Sequence, residues 1–122
     1  MSKILVVEDD ENVLLSIVVR LKADGHEVVT AQDGLVAMST AVDERPDLVI
    51  LDISMPAGDG FQVAECIQDD ARTAGTPVIF MTASRRPEFR QRAEELNASG
   101  FFEKPYDAAQ LLSTVRSTLG RT

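Results

Sequence analysis

Three carboxylates in this sequence stand where strongly apolar segments end. Glu8 and Asp9 directly follow the apolar residues 4–7, and Asp52 directly follows the apolar residues 48–51. If both segments are neighbouring parallel strands, their carboxylates meet at one sheet edge, because adjacent strands lie about 4.8 Å apart. Carboxylates this close repel one another unless a cation lies between them. Oxygen ligands of this kind suit Mg²⁺, which binds a few carboxylates, several waters and a substrate phosphate.

A hydroxyl and an ammonium group follow two later apolar segments. Thr82 ends residues 78–82, and Lys104, which precedes Pro105, follows residues 101–103. Both groups can bind phosphoryl oxygens while Mg²⁺ neutralises charge, and these are the usual components of phosphoryl transfer. The charges of three carboxylates, one lysine and one Mg²⁺ sum to zero, so a metal-loaded cleft could accept a phosphoryl donor.

Asp52 is the candidate nucleophile, since an aspartate carboxylate can form an aspartyl-phosphate. Acidic residues also cap and stabilise the first turn of a helix, which offers a simpler explanation for residues 8–11. That explanation suits Asp10, which immediately precedes an amphipathic segment. It does not suit Asp52, because no helix begins there and a carboxylate at the end of a buried strand costs stability without a partner.

The elements that would position these side chains alternate between two hydrophobic periods. Continuous apolar residues at 4–7, 48–51 and 78–81 are typical of strands covered on both faces, and apolar residues recur at helical spacing between them. With short strands at 27–31 and 101–103, the pattern predicts one domain over residues 1–122. We expect an α/β fold of the flavodoxin-like, doubly wound (βα)5 type, with a five-stranded parallel sheet in the order 2-1-3-4-5.

The composition excludes several other classes of function. The 122 residues include 20 Asp and Glu and 12 Lys and Arg, a formal net charge of −8. Such a surface repels nucleic-acid phosphates and anionic lipids, so we expect no direct nucleic-acid or membrane binding. The single cysteine, Cys66, cannot form an internal disulfide and is predicted to be a small buried hydrophobe, whereas His26 is predicted on the surface. With apolar segments too short to cross a bilayer, we expect a cytoplasmic protein.

Six short segments, in this order, resemble the receiver domain of two-component response regulators. The resemblance covers essentially the whole chain and rests on Ile-Leu-Val-Val-Glu-Asp-Asp at 4–10, Pro-Asp-Leu-Val-Ile-Leu-Asp at 46–52, Met-Pro at 55–56, Asp-Gly at 59–60, Pro-Val-Ile-Phe-Met-Thr-Ala at 77–83 and Lys-Pro at 104–105. Each segment alone is a weak signal. Together, at the ends of the predicted strands, they are specific.

The resemblance implies a phosphorylation-controlled signalling switch that is not otherwise an enzyme and catalyses only its own phosphorylation and dephosphorylation. Asp52 would be the phosphoacceptor, and Thr82 and Lys104 would bind the phosphoryl group. Mg²⁺ would be held by a set of four groups: Glu8, Asp9, Asp52 and the backbone carbonyl of Ser54. A cis peptide bond before Pro105 would point Lys104 into the cleft.

The resemblance also implies that Phe101 is an aromatic switch residue coupled to Thr82. Many family members have Tyr at this position, and Phe101 lacks the hydroxyl, so it responds to burial alone. Glu8 is a second departure, because the family more often has Asp there. The longer side chain favours contact with the metal through a water molecule, and we expect metal binding with altered affinity.

The expected partners follow from the same resemblance. The phosphoryl donor would be a sensor histidine kinase or a histidine phosphotransfer protein, and a downstream protein would bind the face formed by the fourth helix, fifth strand and fifth helix. Four arginines near the fourth helix favour docking of an acidic partner: Arg85, Arg86, Arg90 and Arg92. Helical pairs of Glu88 with Arg92 and Arg90 with Glu94 would instead make a self-paired, solvated surface. We expect a monomer, with dimerisation on phosphorylation as the alternative.

Three other functions compete with this interpretation. A Mg²⁺-dependent phosphatase of the HAD-like type also uses an Asp after a strand, but it usually has a second Asp two residues on, where this chain has Ser54. A flavin carrier shares the fold but needs a phosphate-binding loop, and the acidic residues 8–11 would repel phosphate. A receiver-like binding module that works without phosphorylation is disfavoured by the intact Asp, Thr and Lys set. Whether the chain is a stand-alone regulator or part of a longer one stays open.

Overall fold

Strands and helices alternate strictly along the chain in the computed structural model, which describes residues 2–55 and 59–120. Pro56 of the Met-Pro segment lies outside the described residues. The elements are β1 Lys3–Val7, α1 Glu11–Ala23, β2 Glu27–Ala31, α2 Gly34–Glu44, β3 Leu48–Asp52, α3 Gly60–Asp69, β4 Val78–Thr82, α4 Pro87–Glu95, β5 Gly100–Glu103 and α5 Ala108–Thr118. No helix in these ranges is both long enough and apolar enough to cross a membrane.

The five strands form one parallel sheet in the order β2-β1-β3-β4-β5, which confirms the predicted order. Val7 of β1 lies beside Leu51 of β3, so the residues that follow this pair come together at the same edge. Asp52 pairs with Met81, and Thr82 pairs with Glu103 at the end of the next two strands. The register therefore brings the ends of the four strands β1, β3, β4 and β5 to one edge.

Alternate residues of the strands support two apolar layers, one on each face of the sheet. On one face, Leu5, Leu51 and Phe80 pack with buried residues of α2, α3 and α4. On the other face, Ile50 and Met81 and their neighbours pack with buried residues of α1 and α5. Because both faces are covered, the continuous apolar segments of the sequence fold as central strands.

Aspartates at the N-termini of four helices direct where those helices begin. The side chains of Asp10, Asp33, Asp59 and Asp107 each accept a hydrogen bond from a backbone N–H in the first helical turn. These bonds satisfy amide groups that have no partner inside the helix. Asp10 is therefore the cap of α1, as its position predicted.

Two burial predictions are wrong, and both errors come from reading local sequence alone. Cys66 is exposed, because it occupies the outer side of α3 while Val63 and Ile67 face the sheet. His26 is only 4% exposed, although it lies in a turn between a helix and a strand. The His26 Nε2 lies 3.4 Å from the Asp24 carboxylate, which Arg116 of α5 also binds, so a residue distant in the chain reaches this turn.

Gly60 lets the start of α3 lie directly on the last residues of β3. Its N–H donates to the carbonyl of Ile53 at 2.8 Å, and a Cβ at this position would collide with the Asp52 carbonyl oxygen and lie 2.8 Å from the Ile53 Cα. The atoms in the way are backbone, so they cannot move aside without shifting the strand end. This close approach of backbone atoms is the reason for glycine at position 60.

Gly60→Ala should therefore lower the free energy of unfolding by about 1–3 kcal/mol, the usual cost of overpacking. Gly75→Ala is a matched control, since a Cβ there has no atom within 4 Å, and it should change stability by less than about 0.5 kcal/mol. Urea unfolding followed by circular dichroism measures both variants. Equal stability of the two variants would contradict the close packing at Gly60.

Candidate functional site

The predicted acidic residues meet at the carboxyl edge of the sheet. One carboxylate oxygen from each of Glu8, Asp9 and Asp52 lies within 4.8 Å of the others. Glu8 and Asp52 are 1% and 4% exposed, whereas Asp9 faces solvent. The site is therefore an acidic cleft with a buried floor and one carboxylate at its rim.

Lys104 brings the positive charge into this cleft from the end of β5. Its ammonium donates to Glu8 Oε1 at 2.5 Å and to Asp52 Oδ2 at 3.4 Å. The Lys104–Pro105 peptide bond is cis, and the Lys104 N–H donates to the Thr82 carbonyl at 2.8 Å. The structure thus brings together residues separated by 96 and 52 positions in the chain.

The pKa values of Glu8 and Lys104 are set by the burial of both side chains and by the charges that face them. Burial raises the pKa of Glu8 to about 7, although hydrogen bonds from Lys104 and from the Asp10 amide act in the opposite direction. For Lys104, burial disfavours the charge, but the hydrogen bond to Glu8 and the negative charge of Asp52 raise its pKa above the ordinary lysine value. Lys104 therefore stays charged, and it is the group that keeps the buried carboxylates together.

Asp52 is held by backbone groups on one side and by the lysine on the other. Its Oδ1 accepts a hydrogen bond from the Ser54 N–H at 3.3 Å, and its Oδ2 faces Lys104. The next residue, Ile53, continues the ladder by donating to the Met81 carbonyl at 2.9 Å. The carboxylate is consequently fixed at the end of a rigid strand.

Thr82 and Phe101 lie on the same face of the sheet but are not direct neighbours. Thr82 is fully buried, pairs with Glu103, and accepts a hydrogen bond from the Ser84 N–H at 3.0 Å. Phe101 pairs with Phe80, two residues earlier along each strand, and is half-buried. Thr82 and Phe101, which the resemblance predicts to be coupled, are therefore diagonal neighbours on this face of the sheet.

Three of the four arginines near α4 form ion pairs with other elements instead of their own helix. Arg85 and Arg90 each lie 3.5 Å from the Glu103 carboxylate, and Arg92 pairs with Glu65 of α3. The predicted helical pairs are thus replaced by pairs that link α4 to β5 and α3. The Arg90 guanidinium also lies 4.7 Å from the centre of the Phe101 ring.

Glu103 is a residue that the sequence analysis missed. It stands opposite Thr82 and next to Lys104 in the chain. Its carboxylate forms ion pairs with two arginines of the segment that follows β4. A single charged residue at the end of a short strand carries no signal of its own. Glu103 is identified only by its position opposite Thr82 and by its ion pairs with Arg85 and Arg90.

The carboxylates present fit a magnesium ion. Their oxygens are hard ligands, they converge from two strand ends, and Asp9 leaves the site open to water and to a phosphate group. Mg²⁺ prefers such a combination of few protein oxygens and several waters. Lys104 carries one positive charge, whereas the three carboxylates carry three negative charges when ionised. These four groups therefore have a net negative charge, which a divalent cation would balance.

The fold and the cleft define a known class of signalling protein. Residues 4–116 match the response regulator receiver domain family, and the chain belongs to this family. Receiver domains are signalling switches, and they bind Mg²⁺ at an acidic pocket of this kind.

Individual relatives show how far the similarity extends. The chain is 34% identical over 122 residues to the DNA-binding dual master transcriptional regulator RpaA of Synechocystis, covering all of this chain and 51% of that protein. It is 32% identical to protein PilH of Pseudomonas aeruginosa, with 98% of both chains covered. The structure of the chemotaxis response regulator CheY4 of Vibrio cholerae superposes with a TM-score of 0.88 at 30% identity, covering 97% of this chain and 98% of that one.

The chain spans about half or less of the length of several curated relatives, including RpaA and the response regulator PleD of Caulobacter vibrioides. These comparisons confirm the predicted family, fold and class of function. They do not favour the phosphatase, the flavin carrier or the module that works without phosphorylation.

Asp9→Asn should raise the unfolding temperature of the metal-free protein by a few degrees, because it removes one of three clustered negative charges. The same change should weaken Mg²⁺ binding and so reduce the stabilisation by the metal, which is about 2.7 kcal/mol at about 100 times the Kd. Thermal unfolding with EDTA and with a Mg²⁺ series measures both effects. Asp43→Asn, on the exposed side of α2, is the control for loss of charge alone. A lower unfolding temperature of metal-free Asp9→Asn would contradict repulsion in the cleft.

Proposed function

We propose that this chain is a phosphorylation-controlled switch that accepts a phosphoryl group on Asp52. The observation that carries the proposal is the placement of Asp52, whose Oδ2 faces the Lys104 ammonium at 3.4 Å inside a cluster of metal-binding carboxylates. A buried carboxylate aligned with a cation and a metal site is suited to attack a phosphoryl group.

In this reaction an Asp52 oxygen attacks the phosphorus atom of the donor while the bond from phosphorus to the donor breaks. From a phosphohistidine, the electron pair of the phosphorus–nitrogen bond returns to the imidazole. Lys104 and the Thr82 hydroxyl bind oxygens of the transferred group. Asp9, Asp52, the Ser54 carbonyl and the Glu8 carboxylate would hold Mg²⁺, which would supply the remaining charge neutralisation. Water later attacks the same phosphorus and releases phosphate, which restores the carboxylate. The chain thus catalyses its own phosphorylation and dephosphorylation and no reaction on another substrate.

The partners proposed for this switch are proteins. A sensor histidine kinase or histidine phosphotransfer protein supplies the phosphoryl group. A downstream protein binds the face made by α4, β5 and α5. Residues 1–122 act as a single domain in this proposal. The unphosphorylated chain is a monomer in this proposal. The pairs of Glu103 with Arg85 and Arg90 support the choice of face, since they connect the end of β5 to the residue segment before α4 and to the surface of α4.

The signal leaves the site through the residues next to Thr82. A phosphoryl oxygen that accepts a hydrogen bond from the Thr82 hydroxyl draws this side chain toward Asp52. The Ser84 N–H, which donates to the same hydroxyl oxygen, follows it and so moves the loop that precedes α4. The half-buried Phe101 lies diagonally across the same face and can turn further inward, since full burial of a Phe side chain contributes about 1.5–3 kcal/mol. Phosphorylation biases an equilibrium between these two positions.

Asp52→Asn should abolish labelling by acetyl phosphate in the presence of Mg²⁺, because the amide keeps the shape of the side chain but cannot act as the nucleophile. Intact-protein mass spectrometry under mild conditions measures the added phosphate. Asp47→Asn is the control, since Asp47 lies at the opposite end of the sheet, where it accepts from the Lys3 N–H, and this variant should label like the wild type. Stoichiometric labelling of Asp52→Asn would disprove the assignment of the phosphoacceptor.

Thr82→Ala should still accept phosphate but should transmit less of the signal, because it lacks the hydroxyl that follows the phosphoryl group. With a beryllofluoride mimic of the phosphoryl group, we expect chemical-shift changes at Phe101 and in α4 at less than about half the wild-type size. Thr82→Ser retains the hydroxyl and should restore most of the response. A full response of Thr82→Ala would show that the signal takes another route.

A further inference from the structure

Arg90 of α4 contacts two side chains of β5 at the same time. Its guanidinium carbon lies 4.7 Å from the centre of the Phe101 ring, within the range of a cation–π contact, and its Nη2 lies 3.5 Å from Oε1 of Glu103. Phe101 and Glu103 are two positions apart in the strand, so both side chains point to the same face of the sheet. The Glu103 carboxylate is therefore placed to hold the guanidinium over the ring.

The ring that Arg90 covers is half-buried and has no polar group of its own to keep it at the surface. Phe101 packs against the core layer that contains Phe80, its partner in the sheet. Deeper burial removes more apolar area from water, so the hydrophobic effect alone favours an inward turn of the ring even without a phosphoryl group. A switch that uses this ring requires an interaction that opposes the turn, and Arg90 is positioned to supply it.

The contact with the guanidinium depends on the ring staying near the surface. The Arg90 side chain is 55% exposed. A guanidinium that followed the ring into the apolar layer would lose its water and its contact with Glu103, and removing a charge from water is costly. The contact therefore stabilises the half-buried ring more than the inward ring, and such a difference shifts the equilibrium between the two positions.

We propose that Arg90 is a positioning residue that holds Phe101 in its half-buried position until Asp52 is phosphorylated, with Glu103 as the anchor of the guanidinium. This inference rests on the proposed function and names the interaction that resists the switch. An exposed contact between a guanidinium and an aromatic ring changes such an equilibrium by a factor of about two to five. Phosphorylation can overcome an interaction of this size, yet the interaction lowers the inward population of the unphosphorylated protein.

The test compares Arg90→Met with Arg92→Met, which remove the same charge from the same helix. Arg92 is a matched control, because it also pairs with a glutamate, Glu65, and its guanidinium carbon lies 5.7 Å from the centre of another ring, that of Phe61. Methionine keeps much of the apolar stem of arginine. Arg90→Lys retains the charge and serves as the conservative variant. Circular dichroism confirms that each variant is folded.

Two measurements report the position of the ring. In the proposed switch the ring turns inward on the side of Thr82, its diagonal neighbour, so the nuclear Overhauser effect between the Phe101 ring and the Thr82 methyl group grows. This effect is measured in unphosphorylated, metal-free protein. A beryllofluoride titration with MgCl₂, followed by the amide signals of α4, gives the concentration of half-maximal response. A residue that only stabilised the fold would change neither value.

We expect Arg90→Met to increase the nuclear Overhauser effect and to lower the half-maximal beryllofluoride concentration by about two- to fivefold. Arg92→Met should leave both values unchanged, and Arg90→Lys should lie between Arg90→Met and the wild type, since lysine keeps the charge but not the planar guanidinium. An Arg90→Met protein unchanged in either measurement, or an equal change in Arg92→Met, would overturn the inference. Absence of any beryllofluoride response in the wild type would instead refute the proposed function, and the nuclear Overhauser effect would still decide whether Arg90 holds the ring.

Discussion

The structure depends on one ammonium group placed between two buried carboxylates. Glu8 and Asp52 end neighbouring strands of the sheet, and removing two such charges from water costs several kcal/mol for each ion unless a partner compensates. Lys104 supplies that partner from a strand at the far edge, two positions along the sheet from β3. The compensation is incomplete, because one positive charge faces three carboxylates. This remaining negative charge makes the cleft receptive to a divalent cation and, through that cation, to a phosphate.

The surface around α4 has the opposite physical character. The pairs of Glu103 with Arg85 and Arg90, and the contact of Arg90 with the Phe101 ring, are made by arginine side chains that are more than half exposed to solvent. Exposed ion pairs and exposed cation–π contacts each contribute about 1 kcal/mol or less. A face joined by such weak contacts can rearrange at small cost. The strand ends and the α4 surface therefore differ physically, and the proposed function assigns chemistry to the first and signal output to the second.

Most of the fold and the membership of the site could be predicted from the sequence. Continuous apolar segments identified the central strands, and the helical spacing between them implied parallel connections, which leave few possible strand orders. Once the order was known, the residues that directly follow the strands had to meet at one edge. Asp10 could be assigned as a helix cap in the same way. These inferences succeed because each uses only the period of the local pattern and the geometry common to all parallel sheets.

Tertiary structure alone decided which side chains bind which partners. Lys104 lies nearer to Glu8 than to Asp52, Arg90 binds Glu103 and not its helical neighbour, and His26 is buried. Each of these outcomes depends on strand register, side-chain length and the packing of elements that are distant in the chain. The physical reason is that the local pattern encodes which face a residue occupies. A contact between distant residues also requires the exact reach of two side chains, and that reach is defined only when the whole sheet and its helices are assembled.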